Sequence, residues 1–149
     1  MDDPRPQLQT ALKEAMKAKD GPRRDTLRMI MSAIKQVQID QQKDLSPEDV
    51  IQVLQKEAKK QRESIEEYQK GGRDDLVPRE KARLAVIEEY LPQQLSADEI
   101  AAIVQEVIAE SGAVSMKDMG KVMGPVMQRV RGLADGKLVN QIVHEQLSA

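Results

Sequence analysis

The sequence has no cysteine, phenylalanine or tryptophan, one histidine, and two tyrosines, Tyr68 and Tyr90. Without cysteine, disulfides, thiolate metal sites and cysteine nucleophiles are excluded together. With two flat side chains, single-strand binding by stacking bases on aromatics is nearly excluded as well. No uncharged stretch of the chain approaches the roughly 20 residues that span a bilayer, so no membrane partner is expected. The first residues, Met-Asp-Asp-Pro, are acidic rather than apolar, which predicts no secretory signal. A cytoplasmic home is the default these absences leave. Neither sign of charge dominates, since 23 basic against 25 acidic residues give −2. That rules out a globally basic nucleic-acid binder and leaves room for a local basic face.

What remains is an aliphatic, charge-rich chain of 149 residues with 40% apolar content and eight methionines. Its core must be built from Leu, Ile, Val, Ala and the adaptable Met. Apolar residues recur at three and four, and no run alternates for long enough to form a strand, so the fold class is all-α. The first helix is predicted over Pro6 to Lys19, closed by Asp20-Gly21-Pro22. The second runs from about Arg23 to Gln42 and turns Leu27, Ile30, Met31, Ile34 and Val37 inward. Ser46, Pro47 and Asp49 form a capping-box start for a third helix reaching about Lys70. Within it, Lys56 to Glu63 is polar nearly all round and is expected to project from the core. A fourth helix is predicted from about Pro78 to Tyr90, burying Leu84, Ile87 and Leu91.

Pro92-Gln93-Gln94-Leu95-Ser96 is the expected boundary, dividing a charged helical domain (1–95) from a small three-helix bundle (96–149). Residues 1–95 hold 18 of the 23 basic and 18 of the 25 acidic residues, and the remainder hold 5 and 7. In the second part Ser96 and Glu99 form another capping box, and Ser111-Gly112 ends that helix. Ser115 and Asp118 start the next helix, in which Gly124-Pro125 predicts a kink. Gly132 closes it, and Asp135 caps the last.

No catalytic, cofactor-binding or metal-binding residues emerge. His144 near the end of the last helix suits the helix dipole, and its surface reading is the ordinary one. Gly120-Lys121 lacks the earlier glycine and the following Ser or Thr of a phosphate loop. Gly120 and Gly124, one turn apart, are expected to let another backbone approach closely. Met116, Met119, Met123 and Met127 form a stripe that reads as core, with a pliable partner-binding groove beside Val122, Val126 and Val130 as the alternative. Asp74-Asp75, and Asp44 with Asp49, complement helix starts and carry no acid–base spacing. Lys121, Arg129, Arg131 and Lys137 gather most of the positive charge of an acidic segment. Arg24 and Arg28 share one side of the second helix with Lys35, and Lys13 and Lys17 make a similar row on the first. Such clusters can position phosphates without reading bases.

These residues resemble the YqeY family, stand-alone relatives of the tail of the GatB amidotransferase subunit. The resemblance rests on Leu27-Arg28-Met29-Ile30, Lys56-Glu57, Arg62-Glu63-Ser64-Ile65, Glu67-Tyr68, Asp74-Asp75-Leu76 and Glu89-Tyr90-Leu91-Pro92. Asp118-Met119-Gly120-Lys121-Val122-Met123, Gly132, Ala134-Asp135-Gly136 and Val139-Asn140 complete it. It implies an all-helical, two-part fold and a link to the glutamine-dependent amidotransferase acting on misacylated tRNA. It also implies tRNA, an aminoacyl-tRNA synthetase or amidotransferase components as partners, and a label of carbon–nitrogen ligase activity with glutamine as amide donor. With no nucleophile, ATP loop or metal set in view, the expected function is that of a non-catalytic tRNA-binding or accessory protein. Its expected contacts are Lys121, Arg129, Arg131 and Lys137, helped by Arg24 and Arg28. Two alternatives belong to other classes: a protein-interaction module using the Met/Val surface, and an amide-transferring enzyme in its own right.

Overall fold

The computed structural model of the chain describes residues 2–149, and these contain helices and no strand. Two compact units meet at Leu91 and Pro92. The N-terminal unit contains α1 (Arg5–Lys17), α2 (Gly21–Gln41), α3 (Pro47–Lys70) and α4 (Val77–Glu88). The C-terminal unit contains α5 (Ala97–Ser111), a 3₁₀ turn (Met116–Asp118), α6 (Met119–Val130) and α7 (Gly136–Ser148).

In the N-terminal unit, α1 packs on α2 and α3 on α4, with α2 also touching α3 and α4. Leu8, Leu27, Ile30, Val50, Leu54 and Ile87 are completely buried at its centre. The chain folds back after α1 because Lys19 takes a left-handed turn at φ 56°. Asp20 then accepts a hydrogen bond from the Arg23 amide and starts α2 at Gly21. Gly21-Pro22 therefore opens α2 rather than closing α1, in keeping with proline's fitness for a first helical turn. The Ser46–Asp49 capping box forms in both directions, at 3.2 and 3.1 Å.

The polar stretch Lys56 to Glu63 does not project as expected. Glu57, Ala58 and Gln61 are buried, on the helix that packs along α4. Long polar side chains can bury their stems against a neighbouring helix while their ends find other partners. Lys60 reaches the Glu57 carboxylate at 3.3 Å. On α4, the nearly inaccessible Glu80 accepts from Arg79 and Arg83 at 3.2 and 3.4 Å. Ion pairs also tie distant segments. Arg5 holds Asp3 and Asp44 and donates to the Leu45 carbonyl at 2.8 Å. Arg23 joins Glu89 at 2.8 Å and the Tyr90 hydroxyl at 3.2 Å.

In the C-terminal unit each of α5, α6 and α7 packs on the other two. Their shared core is Ile100, Val104, Val122, Val126, Val130, Val139 and Val143, all fully buried. The second capping box, Ser96 with Glu99, is present at 3.1 and 3.2 Å. Gly112 and Gly132 take positive φ angles of 70° and 78°, a conformation that a side chain would strain. Asp135 caps α7 by accepting from the Lys137 amide.

Candidate nucleic-acid interface

The cations of the C-terminal unit are Lys117 on the 3₁₀ turn, Lys121 and Arg129 on α6, Arg131 just after it and Lys137 in the first turn of α7. Val122, Val126 and Val130 fill the inner side of α6. The Met116, Met119, Met123 and Met127 side chains pack beside that core, each partly buried. Of the two apolar rows, the valines have no exposed surface to offer a partner, while the methionines keep part of theirs. Gly120 and Gly124 are also inverted relative to expectation. Both are exposed, and a Cβ added at either position would meet nothing within 4 Å. No neighbouring helix of the unit approaches them. The exposed side of α6 thus lacks a side chain at Gly120 and Gly124, and carries Lys121, Pro125, Gln128 and Arg129.

Lys121, Arg129, Arg131 and Lys137 are all exposed, but the structure uses them differently. Lys121 is 70% exposed and stands 3.6 Å from Asp118. Asp118 accepts a 3.0 Å bond from the Val114 amide. That bond, more than Lys121, holds its carboxyl below the ordinary value. Arg129 turns towards α5, bonding Glu106 at 2.8 Å and Glu110 at 3.1 Å. The Glu110 carboxylate, with Glu106 behind it, raises the Arg129 guanidinium above its usual pKa. This group is paired, within a cluster whose formal charge is −1. Arg131 and Lys137 enter no ion pair among the described residues. They flank the short turn joining α6 to α7, whereas Lys121 lies eight residues before Arg129, about 12 Å along the axis at 1.5 Å per residue.

Lys117, which sequence reasoning passes over, is exposed on the 3₁₀ turn that leads into α6. A signal for it exists: it precedes Lys121 by one turn. Arg24 and Arg28 belong to the N-terminal unit. Arg24 is bound to the neighbouring Asp25 at 3.1 Å. Arg28 is exposed and lines a groove between α1 and α2. His144 is exposed near the end of α7. Among the described residues no three His, Asp or Glu side chains gather closely enough to hold a metal ion.

Comparison with known proteins places this geometry in a family context. The chain matches the family described as Yqey-like protein over residues 5–147. It is 31% identical to the "Altered inheritance of mitochondria protein 41, mitochondrial" of Pyrenophora tritici-repentis, over 97% of this chain and 81% of that one. The protein of the same name from Lachancea thermotolerans is 35% identical over 76% of this chain and 65% of its own length. A shorter match, 42% identical, links 46% of the chain to 11% of a glutamyl-tRNA(Gln) amidotransferase component of Thermococcus sibiricus. The fungal relatives are named as mitochondrial proteins, which overturns the expected cytoplasmic home. That expectation rested on composition, and a lack of cysteine suits any reducing compartment.

Proposed function

The chain belongs to the Yqey-like protein family, and we propose that it is a non-catalytic tRNA-binding or accessory protein whose C-terminal unit grips the RNA backbone. The observation carrying this reading is the open surface at Gly120 and Gly124 on α6, with exposed Lys117 and Lys121 near them in the chain and exposed Arg131 and Lys137 flanking the α6–α7 turn. Phosphates recognised without base reading need accessible positive groups and an unobstructed approach. Both conditions are met here, and the near absence of aromatics is no handicap to a folded RNA held by its backbone. The match to a protein named for glutamyl-tRNA(Gln) amidotransferase supports tRNA as the class of RNA.

The test is tRNA binding at 50 and 200 mM salt, comparing the parent with Lys121→Glu/Arg131→Glu. Four phosphate contacts predict a loss of roughly 50-fold to 150-fold across that salt range. The double reversal should weaken binding and reduce the salt slope by about 2. Absence of binding at either salt, or an affinity indifferent to both salt and charge reversal, rejects the reading.

A further inference from the structure

Between α1 and α2, on the face of the N-terminal unit that carries Arg28, runs a groove of about 520 Å³. Leu12 from α1 and Met31 from α2, both partly buried, give it an apolar floor laid over the core residues Leu8 and Ile34, and Arg28 and Lys35 stand among its lining residues. Leu8 and Ile34 are buried beneath it, so the surface open to a ligand is that of Leu12 and Met31. Arg28 and Lys35 are exposed and make no ion pair among the described residues. Helical spacing extends the groove at both ends. Met16 lies one turn beyond Leu12 and Ile39 one turn beyond Lys35, and they are two of the three large apolar side chains left exposed in the molecule's described residues, at 51% and 58%.

We propose that this groove receives an acidic amphipathic helix from a partner protein. Arg28 and Lys35 are seven residues apart on α2, about 10 Å along its axis. An occupant must therefore carry negative charge at intervals along its length, beside a continuous apolar side. A helix with acidic residues two turns apart and apolar residues at three and four meets both demands. An acyl chain carries its charge at one end only. An RNA has no apolar side to set on the floor, and the groove offers no aromatic ring on which to stack a base. The stripe from Arg28 to Ile39 covers three turns of α2, a length matched by a short helical motif. Met16 and Met31 supply a surface that adjusts to its occupant. The chain's own acidic helix α5 is no candidate, because its apolar face is committed to the C-terminal core. This inference is independent of RNA binding by the C-terminal unit.

The experiment uses the full chain, labelled at the methionine methyl groups, and two 16-residue probe peptides. Both carry leucine on one helical face; one has glutamate along the flanks and the other lysine. The glutamate peptide should shift the Met16 and Met31 methyl signals saturably and leave those of Met119 and Met123 in place. Its affinity should exceed that of the lysine peptide at least tenfold, from two ion pairs gained against two repulsions. Arg28→Glu/Lys35→Glu, exposed changes whose folding is checked by circular dichroism, should reverse the preference. The proposal is overturned if neither peptide binds, if both bind equally, or if shifts fall on the C-terminal methionines. It is equally overturned if phosphatidylglycerol vesicles or tRNA move the Met16 and Met31 signals while the glutamate peptide does not.

Discussion

Gly124 precedes Pro125 inside α6, and the pair makes a quantitative prediction about why glycine stands there. An exposed glycine in a helix interior costs about 0.8–1.0 kcal/mol relative to alanine. Gly124 is exposed, and no non-neighbouring atom lies within 4 Å of where its Cβ would stand, so space alone predicts that Gly124→Ala stabilises by that amount. The following proline changes the sum. Its ring crowds the Cβ of the preceding residue and disfavours the helical conformation there, and a glycine escapes that clash. Gly124→Ala in the parent should therefore gain little, whereas in a Pro125→Ala background it should gain the full amount of about 1 kcal/mol. Gly120 has no proline after it, so Gly120→Ala should stabilise in either background, by somewhat less than the interior value because it lies in the first turn. For a unit of this size about 1 kcal/mol corresponds to roughly 4–8 °C in midpoint. The assay is a double-mutant cycle by thermal and urea unfolding, with the Met123 and Met127 methyl signals reporting on the C-terminal unit. Equal gains from Gly124→Ala in both backgrounds would refute the steric account of the pair. Destabilisation by Gly120→Ala would refute the claim that this side of α6 is open.

Three further perturbations test other parts of the structure. The buried Gln61 side-chain oxygen has no hydrogen-bond partner among the described residues, so Gln61→Leu, which keeps the volume and removes an unpaired polar atom, should stabilise the N-terminal unit by about 1 kcal/mol in urea unfolding. Asp118 has a carboxyl held below its ordinary pKa, chiefly by the Val114 amide. Its contribution is fully present above the unfolded value near pH 4 and is lost as the pH falls through the lowered folded value. The C-terminal unit should thus lose stability at acid pH less steeply in Asp118→Asn than in the parent, as read from urea midpoints between pH 6 and pH 2. Finally, Arg129→Met should leave tRNA affinity almost unchanged while Arg131→Met lowers it, because Arg129 is engaged by Glu106 and Glu110. Equal losses from the two substitutions would show that the pairing does not withhold Arg129 from RNA.

Local chemistry is legible in the sequence wherever a feature is completed within one turn. Both capping boxes and the left-handed glycines at 112 and 132 depend on neighbours a few residues away, and their residue types announce them. The start of α2 is misleading in sequence because Gly-Pro suits the end of one helix and the beginning of the next equally well; the Asp20 cap decides it. Glu57 and Gln61 read as solvent-facing because a polar pattern says nothing about a helix packing alongside. The glycines of α6 mislead for the related reason that a small side chain fits a close contact and an open surface alike. In the candidate site, residue types point to a charged stretch of chain, but the pairing of Arg129 with carboxylates 19 and 23 residues earlier leaves no trace in local spacing.

That pairing bears on how a near-neutral protein can hold a polyanion. A guanidinium already held by carboxylates must give up those bonds, and leave the carboxylates repelling the incoming phosphate, before it gains a new one. An unpaired ammonium gives up only its hydration. Arg5, Arg23 and Arg129 each join segments well separated in sequence, so their charge is committed to the fold. Arg131 and Lys137 in one unit, and Arg28 and Lys35 in the other, enter no ion pair among the described residues and are the cations on which the two proposals draw. The two units also differ in what accompanies their charges: open glycine positions at 120 and 124 near Lys121, and an apolar floor beside Arg28. A sugar–phosphate chain needs the first kind of surface, and an amphipathic helix needs the second.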